Sequence, residues 1–546
     1  MQSEEIRQRF LSFFEKRGHT IVPSASVVPE NDSSVLFTTA GMQQFKPYYL
    51  GKKEAMADFG SKNTASIQKS VRTFDIEEVG DERHLTFFEM LGNFSFGGYW
   101  KEEAIKYAHE FMTKEMGLEI DYVTVFEGED RVPEDKESEN IWKSIDPNLT
   151  VKKFGRADNF WGPTGEEGPC GPTTEIYVKS IEIWNIVFNE YYQNKDKTLR
   201  PLETKGIDTG MGLERLVMVV QKVPTVFDTD LFSGLMQLTA KSPLDDKKKR
   251  ILADHSRAIS FIISDGIRPD NKGREYILRR LLRRILAQFD MEFIRLSIDA
   301  VIAKYGKTHK ELKGDLILEI IDQEREQYIA ALNLGMRELN KLESINSQTA
   351  FHLYSSYGLP LDVIKDKFPD LDMQAFEKEF SKHQEVSKLG MEQKFKGGLL
   401  GTSEMEVKYH TTTHLLHEAL RQVLGKEVFQ KGSNITPERL RFDFSFVRKM
   451  TEEEKRAVEE LVNAKIKEAL PVSYEDIPLE EAKKKGAIGL FEEKYGDKVR
   501  VYKVGDFSLE FCGGPHVENT ATLGKFKIAK EEAVSTGTRR IKAVLE

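Results

Sequence analysis

Four residues near the C-terminus combine the side-chain types and the spacing of a metal site. His410 and His414 stand four residues apart in HTTTHLLHEAL, and Cys512 stands four residues before His516 in FCGGPHV. On a helix, residues i and i+4 share one face, so the first two imidazoles point the same way. Imidazoles and a thiolate are typical ligands of Zn²⁺. The pattern predicts a zinc site between a helix and a strand end.

The same segment does not fit a zinc protease. Thr411 stands where the HExxH motif has the glutamate that acts as base. His417 extends the histidine face, and its place predicts packing or support of the ligands. A pair of histidines at this spacing is often structural when it stands alone. The CxxxH pair downstream therefore carries much of the case for a metal.

Segments of the first 240 residues have the residue types of a nucleotide site. Arg72 ends a predicted strand, and TFFEM opens the next. A guanidinium neutralises phosphate charge, a phenylalanine ring stacks on a purine, and glycines let a ligand approach the backbone. In GIDTGMGLERLVMVVQ a strand passes through a glycine-rich bend into a helix with Glu214 and Arg215. Each segment alone favours a packed loop, because GMGLER has neither the dinucleotide nor the P-loop spacing.

Length and composition describe a large soluble protein. The chain has 546 residues, 39% hydrophobic and 31% charged, which predicts three or four ordinary globular domains. No apolar run reaches the roughly 18 residues of a membrane span, and the amphipathic N-terminus does not read as a signal peptide. Two cysteines, Cys170 and Cys512, are too few for a disulfide framework, which predicts a cytoplasmic protein. The net charge of −9 disfavours non-specific nucleic-acid coating but allows a local basic face.

The chain changes character twice along its length. Residues 1–240 mix helix and strand signals, and DNFWGPTGEEGPCGPTTEIY within them predicts a glycine- and proline-crowded loop after Trp161. Residues 241–392 have the three-to-four-residue apolar period of helices. After a glycine-bearing linker, residues 393–546 return to a mixed α/β pattern. The whole predicts an α+β multidomain protein.

The order and the amino-acid sequences of these segments resemble those of the alanyl-tRNA synthetase family. The resemblance covers nearly the whole chain and is carried by TTAGMQQF, TFFEMLGNFSFG, DNFW, GPCGPTTEI, EIWNIVFNEY, DTGMGLERL, ADHSRAISFIISDG, ILRRLLRRI and the two metal-site segments. It implies a class II catalytic domain with an antiparallel sheet over 1–240. A helical domain that recognises the tRNA acceptor stem follows over 241–392, and an α/β zinc-binding editing domain over 393–546.

The resemblance implies roles in ATP binding for four residues. Arg72 matches an arginine that contacts the α-phosphate, and Phe88 matches a ring that stacks on adenine. Arg215 matches an arginine on the other side of the nucleotide, and Gly210 gives backbone clearance. Arg72 and Arg215 are thereby implied as catalytic residues, with Mg²⁺ as the accompanying ion.

Three further residues match the amino-acid pocket. Trp161 and Asn185 line it, and Asp208 holds the α-amino group and counts as catalytic. The implied reaction joins L-alanine to ATP as alanyl-adenylate, and the alanyl group then passes to the 3′-terminal hydroxyl of tRNA(Ala). Positioning and charge neutralisation supply most of the rate effect in such a reaction.

The helical region carries a basic stripe, which reads either as a solvated face or as a phosphate contact. Beside a tRNA-charging domain the resemblance favours acceptor-stem phosphates, a salt-sensitive contact. Asn271 matches a position that reads an acceptor-stem base pair. The partner position usually carries a carboxylate but here is Ser355, and whether nearby Asp362 substitutes stays open. The stripe consists of Arg279, Arg280, Arg283 and Arg284.

The small side chain of alanine explains why such an enzyme needs a second, zinc-dependent activity. A pocket that admits one methyl group excludes glycine or serine by factors of only about 10–200. The family's remedy is a zinc-dependent domain that hydrolyses mischarged Ser-tRNA(Ala) and Gly-tRNA(Ala). This sequence departs from the family in lacking the usual β-barrel and C-terminal oligomerisation region, which predicts a monomer. Thr173 also stands where a second cysteine is common.

Two other functions compete with a proofreading ligase. One is a stand-alone deacylase of mischarged tRNA with an inactive synthetase half, and the other is a non-catalytic RNA-binding regulator. The presence of Arg72, Asp208 and Arg215 disfavours both.

Overall fold

The computed structural model describes the chain except residues 30–34, 74, 75, 77, 164, 166, 241, 243, 360, 380–402, 489–497 and 536. It divides into two compact units, Met1–Ala331 and Leu332–Glu546. The predicted linker before residue 404 lies mostly outside the described residues, as does the side chain of Asp362. Across the part that is described, no helix is long and apolar enough to cross a membrane.

A mainly antiparallel sheet forms the centre of the first unit. Its order is β1-β2-β3-β9-β8-β7-β4-β5, with β6 beside β7. Among the described strands only the outer pairs β1–β2 and β4–β5 run parallel. The bounds are β1 Thr20–Ile21, β2 Asn63–Val71, β3 Phe87–Phe96, β4 Tyr122–Phe126, β5 Thr150–Phe154, β6 Phe160–Trp161, β7 Gly168–Val178, β8 Ile181–Gln193 and β9 Leu199–Gly212.

The glycine- and proline-rich stretch after Trp161 becomes strand β7 at Gly168, so the predicted loop is wrong from Gly168 onward. Proline is tolerated because the β7–β8 register shifts between Cys170 and Thr173. Gly171 and Pro172 pair instead with the short strand β6. The irregularity is useful, because it ties β6, which carries Trp161, to the sheet.

Helices pack against this sheet and continue into the helical region. An aromatic core of Phe10, Phe14, Phe111 and Trp184 packs the first helix and the π-helical turn Phe111–Glu115 against β8. The α-helices of the unit are Ser3–Glu15, Lys46–Tyr49, Ala55–Phe59, Lys101–Glu110, Lys136–Ile145, Arg156–Asn159, Leu213–Gln221, Ser233–Thr239, Asp246–Ser264, Gly273–Leu286, Met291–Tyr305 and Gly314–Lys341, the last of which runs on into the second unit. Short 3₁₀ turns occupy Gly41–Phe45 and Val226–Asp228.

The second unit contains two described sheets, the five helices given below and a further helical stretch at residues 373–379. One sheet has the order β10-β11-β16-β15, and the other β12-β13-β14. The helices are Ser347–Tyr357, Leu361–Lys367, Glu404–Leu424, Glu452–Lys467 and Leu479–Lys484. The strands are β10 Gln430–Thr436, β11 Arg439–Ser445, β12 Val472–Pro478, β13 Lys498–Val504, β14 Ser508–Phe511, β15 Phe526–Ser535 and β16 Thr538–Leu545.

The core of this unit follows strand alternation and helix capping. Leu440, Phe442 and Phe444 of β11 are buried, so one face of the larger sheet packs against the helices. Ser403 begins the helix Glu404–Leu424 with a capping box, in which its side chain and that of Glu406 each accept a backbone N–H. The capping box stabilises the N-terminal end of the helix that carries His410 and His414.

A buried ion pair in the first unit supplies a test of stability. Lys101 Nζ lies 2.6 Å from Asp135 Oδ1, and both side chains are buried. Lys101→Met leaves the Asp135 carboxylate without its cation, which costs about 3–5 kcal/mol for a buried pair. We expect the midpoint temperature of the unfolding transition of the first unit, measured by calorimetry, to fall by several degrees. An unchanged transition temperature would show that water reaches Asp135.

Candidate active and metal sites

The four predicted metal ligands come together in the second unit. One ligand atom from each of His410, His414, Cys512 and His516 lies within 4.8 Å of the others. Cys512 Sγ is 3.3 Å from His410 Nε2, and the Nε2 atoms of His414 and His516 are 2.8 Å apart. The two histidines at i and i+4 come from one helix, and the other two residues follow β14. The local geometry of both segments agrees with their spacing in the sequence.

Hydrogen bonds behind the ligands orient two of the imidazoles. His410 Nδ1 lies 3.1 Å from the Pro515 carbonyl, and His414 Nδ1 lies 2.8 Å from Glu510 Oε2. An Nδ1–H donated in this way leaves the Nε2 lone pair directed toward the other ligands. Glu510 Oε1 also accepts from His417 Nδ1 at 3.1 Å. His417 thus lies behind the ligands, and Glu510 is a functional residue that the spacing argument missed.

The electrostatics of the cluster favour a thiolate. Burial opposes ionisation of the Cys512 thiol, but hydrogen bonds from His410, His414 and His516 lower its pKa to about 3. A thiolate is the form that binds a metal. His516 Nδ1 is buried and has no hydrogen-bond partner among the described residues. Three imidazoles and one thiolate with mutually close donor atoms fit Zn²⁺, whose structural sites take four such ligands.

The strand register brings most of the predicted substrate residues to one face of the first sheet. Asn185 pairs with Gly210 across β8 and β9, and Asp208 is two residues from Gly210. Met90 pairs with Gly212, which puts Met90 and Phe88 on this same face of β3. Directly paired residues and those two apart share a face because side chains alternate.

Trp161 and Gly210 border this face differently. Trp161 packs against an apolar cluster that contains Met90 and Phe94, and Phe88 borders the same cluster. A Cβ on Gly210 would lie 3.0 Å from Met90 Sδ, so the glycine lets β9 lie close to that side chain. The close approach supports the backbone clearance expected at Gly210.

Asp208 is a buried carboxyl whose charge no cation among the described residues offsets. Burial alone raises its pKa to about 7, with no contribution from a cation in the described part of the chain. Its surroundings suit a positively charged ligand, which would return the carboxyl to its ionised form. An α-ammonium group is such a ligand.

A second buried carboxyl, Glu175, lies beside the pocket and was not expected from the sequence. It pairs with Asn185 across β7 and β8, and its Oε1 accepts from Asn185 Nδ2 at 2.9 Å. Burial and then the charge of Glu182 raise the pKa of Glu175 to about 7. The Asn185 Oδ1 atom is buried without a hydrogen-bond partner in the described structure. Glu175 therefore fixes the amide with its oxygen available to a donor.

Arg72 and Phe88 lie together at the end of β2 and the start of β3. The Arg72 guanidinium carbon is 5.0 Å from the centroid of the Phe88 ring. Phe87 is fully buried and stacks on Phe261 at 4.1 Å, so it is unavailable to a ligand. Of the two rings in TFFEM, Phe88 is the half-buried one. Arg215 lies in the first turn of the helix Leu213–Gln221 after β9, with its Nη1 3.4 Å from Glu182 Oε2.

The predicted basic stripe is largely occupied by protein partners. Arg279 and Arg283 both pair with the buried Glu324, at 3.2 and 2.8 Å. Arg284 donates to the Ile76 carbonyl, and burial lowers its pKa. Arg280 is half-buried and also has interactions within the protein. The i,i+4 spacing predicted shared faces, but only the fold shows that Glu324 faces one of them.

Asn271 and Ser355 are both exposed. Asn271 Oδ1 accepts from Arg279 Nη1 at 2.5 Å. Arg279 thus connects the predicted base-reading residue to Glu324. Thr173 is buried, its Oγ1 accepts from Asn159 Nδ2 at 3.2 Å, and its pairing with Val187, the partner of Asp208, puts it on the same face as Asp208.

Comparison with known proteins identifies the family. Residues 5–458 match the model of the class II (A) tRNA synthetases, and residues 499–542 match the second additional domain of threonyl- and alanyl-tRNA synthetases. These matches, with the mainly antiparallel sheet, confirm the predicted fold class.

Three curated relatives show how far the similarity extends. The alanine–tRNA ligase of Treponema denticola is 45% identical, with 100% of this chain and 99% of the relative covered. That of Borrelia hermsii is 42% identical, with 100% of both covered. That of Petrotoga mobilis is 36% identical, with 99% of this chain and 79% of the relative covered. The chain belongs to the class II (A) tRNA synthetases and, within them, to the alanine–tRNA ligases.

Proposed function

We propose that the first unit forms alanyl-adenylate on the face of the sheet that carries Phe88, Asn185, Asp208 and Gly210, and then transfers the alanyl group to tRNA(Ala). The observation that carries the proposal is the register of β8, β9 and β3, which puts these residues on one face. Residues distant in sequence share a surface only through this pairing. A buried carboxyl without a counter-ion lies at its centre.

The chemistry needs positioning rather than a protein nucleophile. An oxygen of the alanine carboxylate attacks the α-phosphorus of ATP, and pyrophosphate leaves with the electrons of the broken P–O bond. Asp208 holds the α-ammonium, so that the carboxylate is directed toward the phosphate. Arg72 and Arg215 bring positive charge to the phosphate and the nucleotide. When bound, Mg²⁺ neutralises further phosphate charge.

Transfer to tRNA completes the reaction. The 3′-terminal hydroxyl of the tRNA attacks the alanyl carbonyl carbon, and AMP leaves. We assign acceptor-stem recognition to Asn271 and to the helical region around it. Arg279 donates to the Asn271 amide oxygen, which supports a positioning role for this arginine.

Both cysteines are free thiols, in agreement with action in the cytoplasm. That the protein is a monomer stays a prediction.

Amino-acid-dependent ATP–pyrophosphate exchange tests the first step. We expect exchange to be strongest with alanine and weaker with serine and glycine. Arg72→Ala and Asp208→Asn should each lower kcat/KM at least about 100-fold, the effect of losing one directed charge in a buried site. Absence of exchange with all three amino acids would instead favour the deacylase or the RNA-binding regulator.

The buried Asp208 predicts a pH dependence for alanine. Its pKa of about 7 in the free enzyme means that the carboxyl is protonated, and cannot pair with the ammonium, at lower pH. We expect kcat/KM for alanine to fall about tenfold per pH unit below this pKa, since this parameter reports the free enzyme. The measurement is exchange from about pH 5.5 to about pH 8.5.

A variant of the neighbouring carboxyl serves as the control for this profile. Glu175 has a similarly raised pKa, so Glu175→Gln removes the other candidate group. The acid limb should persist in Glu175→Gln if Asp208 is responsible. Loss of the limb in that variant would assign the titration to Glu175.

We further propose that the second unit hydrolyses mischarged Ser-tRNA(Ala) and Gly-tRNA(Ala). The match to the second additional domain and the four clustered ligands support this activity. His410, His414, Cys512 and His516 would hold Zn²⁺, which would supply positive charge next to the bound ester. The chain's own contribution is to orient His410 and His414 through Pro515 and Glu510.

Cys512→Ala separates the two activities. We expect the variant to charge alanine at the parental rate, because Cys512 lies in the second unit. Its zinc content should fall by at least about tenfold, within the range seen when a ligand shell is disturbed. Its deacylation of Ser-tRNA(Ala) should be lost. Zinc content is measured by atomic emission. Loss of zinc from a variant that still deacylates Ser-tRNA(Ala) at the parental rate would rule out a role of the metal in editing.

A further inference from the structure

The hydrogen-bonded ladder between β3 and β9 ends just before the predicted nucleotide residues. Its last pair is Met90 with Gly212, after which the chain of β9 enters the helix Leu213–Gln221. Glu89 therefore has no strand partner on this side. The Glu214 carboxylate takes that place and accepts the Glu89 N–H at 3.2 and 3.3 Å. Beyond the end of the backbone ladder, the Glu214 side chain thus connects β3 to the helix Leu213–Gln221.

Arg257 completes the connection from the other side. It is fully buried in the helix Asp246–Ser264, and its Nη2 lies 2.8 Å from Glu214 Oε1. The same nitrogen donates to the Phe87 carbonyl, and Nη1 donates to Tyr305 Oη at 2.9 Å. The carbonyl of Phe87 and the N–H of Glu89 flank Phe88. The backbone on both sides of Phe88 is therefore held by one ion pair.

The same helix also binds Thr86, the residue just before β3, and Thr86 in turn binds Arg72. Asp254, one turn before Arg257, accepts the Thr86 N–H at 2.9 Å. The Thr86 carbonyl in turn accepts the Arg72 N–H at 2.9 Å. Asp254 is fully buried. Side chains of one helix therefore bind the backbone beside both Arg72 and Phe88.

We infer that Arg257 and Glu214 are positioning residues for adenylation, which set the separation between Phe88 and Arg215 on the two sides of the nucleotide. Glu214 is the peptide neighbour of Arg215, and its carboxylate meets Arg257 and the backbone next to Phe88. Loss of either member lets the two sides move apart. The inference rests on the ATP-binding roles proposed above for Phe88 and Arg215.

The test compares the Michaelis constants of the two substrates in ATP–pyrophosphate exchange by the full-length enzyme. Arg257→Met and Glu214→Gln should each raise KM for ATP about tenfold, since small misplacements of binding groups have effects of this order. KM for alanine should stay within about twofold, because Asp208 and Asn185 lie farther along the intact β8–β9 ladder. Glu214→Gln keeps an acceptor for the Glu89 N–H and is the milder variant. It decides the test if Arg257→Met does not fold.

Lys101→Met is the matched control. It also removes a buried cation from a carboxylate partner in the same unit, but Lys101 and Asp135 contact neither β3 nor the helix Leu213–Gln221 through that pair. We expect it to lower the transition temperature while KM for ATP stays parental. A purely structural role of Arg257 would give the same result as this control. An unchanged KM for ATP in folded Glu214→Gln, or an equal rise in both KM values, would overturn the inference.

Phe88→Ala distinguishes this failure from a failure of the proposed ATP site. If Phe88→Ala raises KM for ATP and Glu214→Gln does not, the site stands and the positioning role is overturned. If Phe88→Ala leaves KM for ATP unchanged, the proposed role of Phe88 fails, and with it the inference. A rise in both variants, with alanine binding retained, is the expected result.

Discussion

The pairing of β9 with β8 on one side and with β3 on the other is the constraint on which the first unit depends. Asp208 and Gly210 face the ligand side only because Ile207, Thr209 and Met211 face away from it. A slip of one residue would send Asp208 into the apolar core and bring Met211 to the ligand face. Burial of Ile207 and Met211 therefore specifies the register that function requires.

The residues of the metal site could be predicted because their relationships are local. His410 and His414 share a helix face by spacing alone, and Cys512 and His516 stand in one short segment. Glu510 was missed because its role depends on how β14 lies against that helix, a contact between segments about a hundred residues apart. Ligand types carry a signal in the sequence, whereas the carboxylate that orients them carries little.

The arginine-rich helix shows the opposite limit. The apolar period of this region predicts helices, one of which is Gly273–Leu286, and the four-residue spacing puts Arg279 on one face with Arg283. Periodicity does not tell whether a basic face meets solvent, phosphate or a buried acid. Glu324 lies on a different helix, and its approach to both arginines is a tertiary contact. A charged stripe in a sequence therefore predicts an electrostatic partner, but the partner's identity comes from the fold.

The helix Asp246–Ser264 was predicted as the start of a tRNA-recognition domain, yet its buried face carries polar groups that serve the catalytic sheet. Asp254 and Arg257 are fully buried, and they meet the N–H of Thr86, just before β3, and the carbonyl of Phe87, its first residue. A buried charge is costly unless it is paired with an opposite charge and hydrogen-bonded. Here Arg257 pairs with Glu214, while Arg7 pairs with Glu89, so the two acids next to each other each have a cation of their own. Apolar residues would pack there more simply, but they would leave the Glu89 N–H and the Phe87 carbonyl unpaired beyond the end of the β3–β9 ladder.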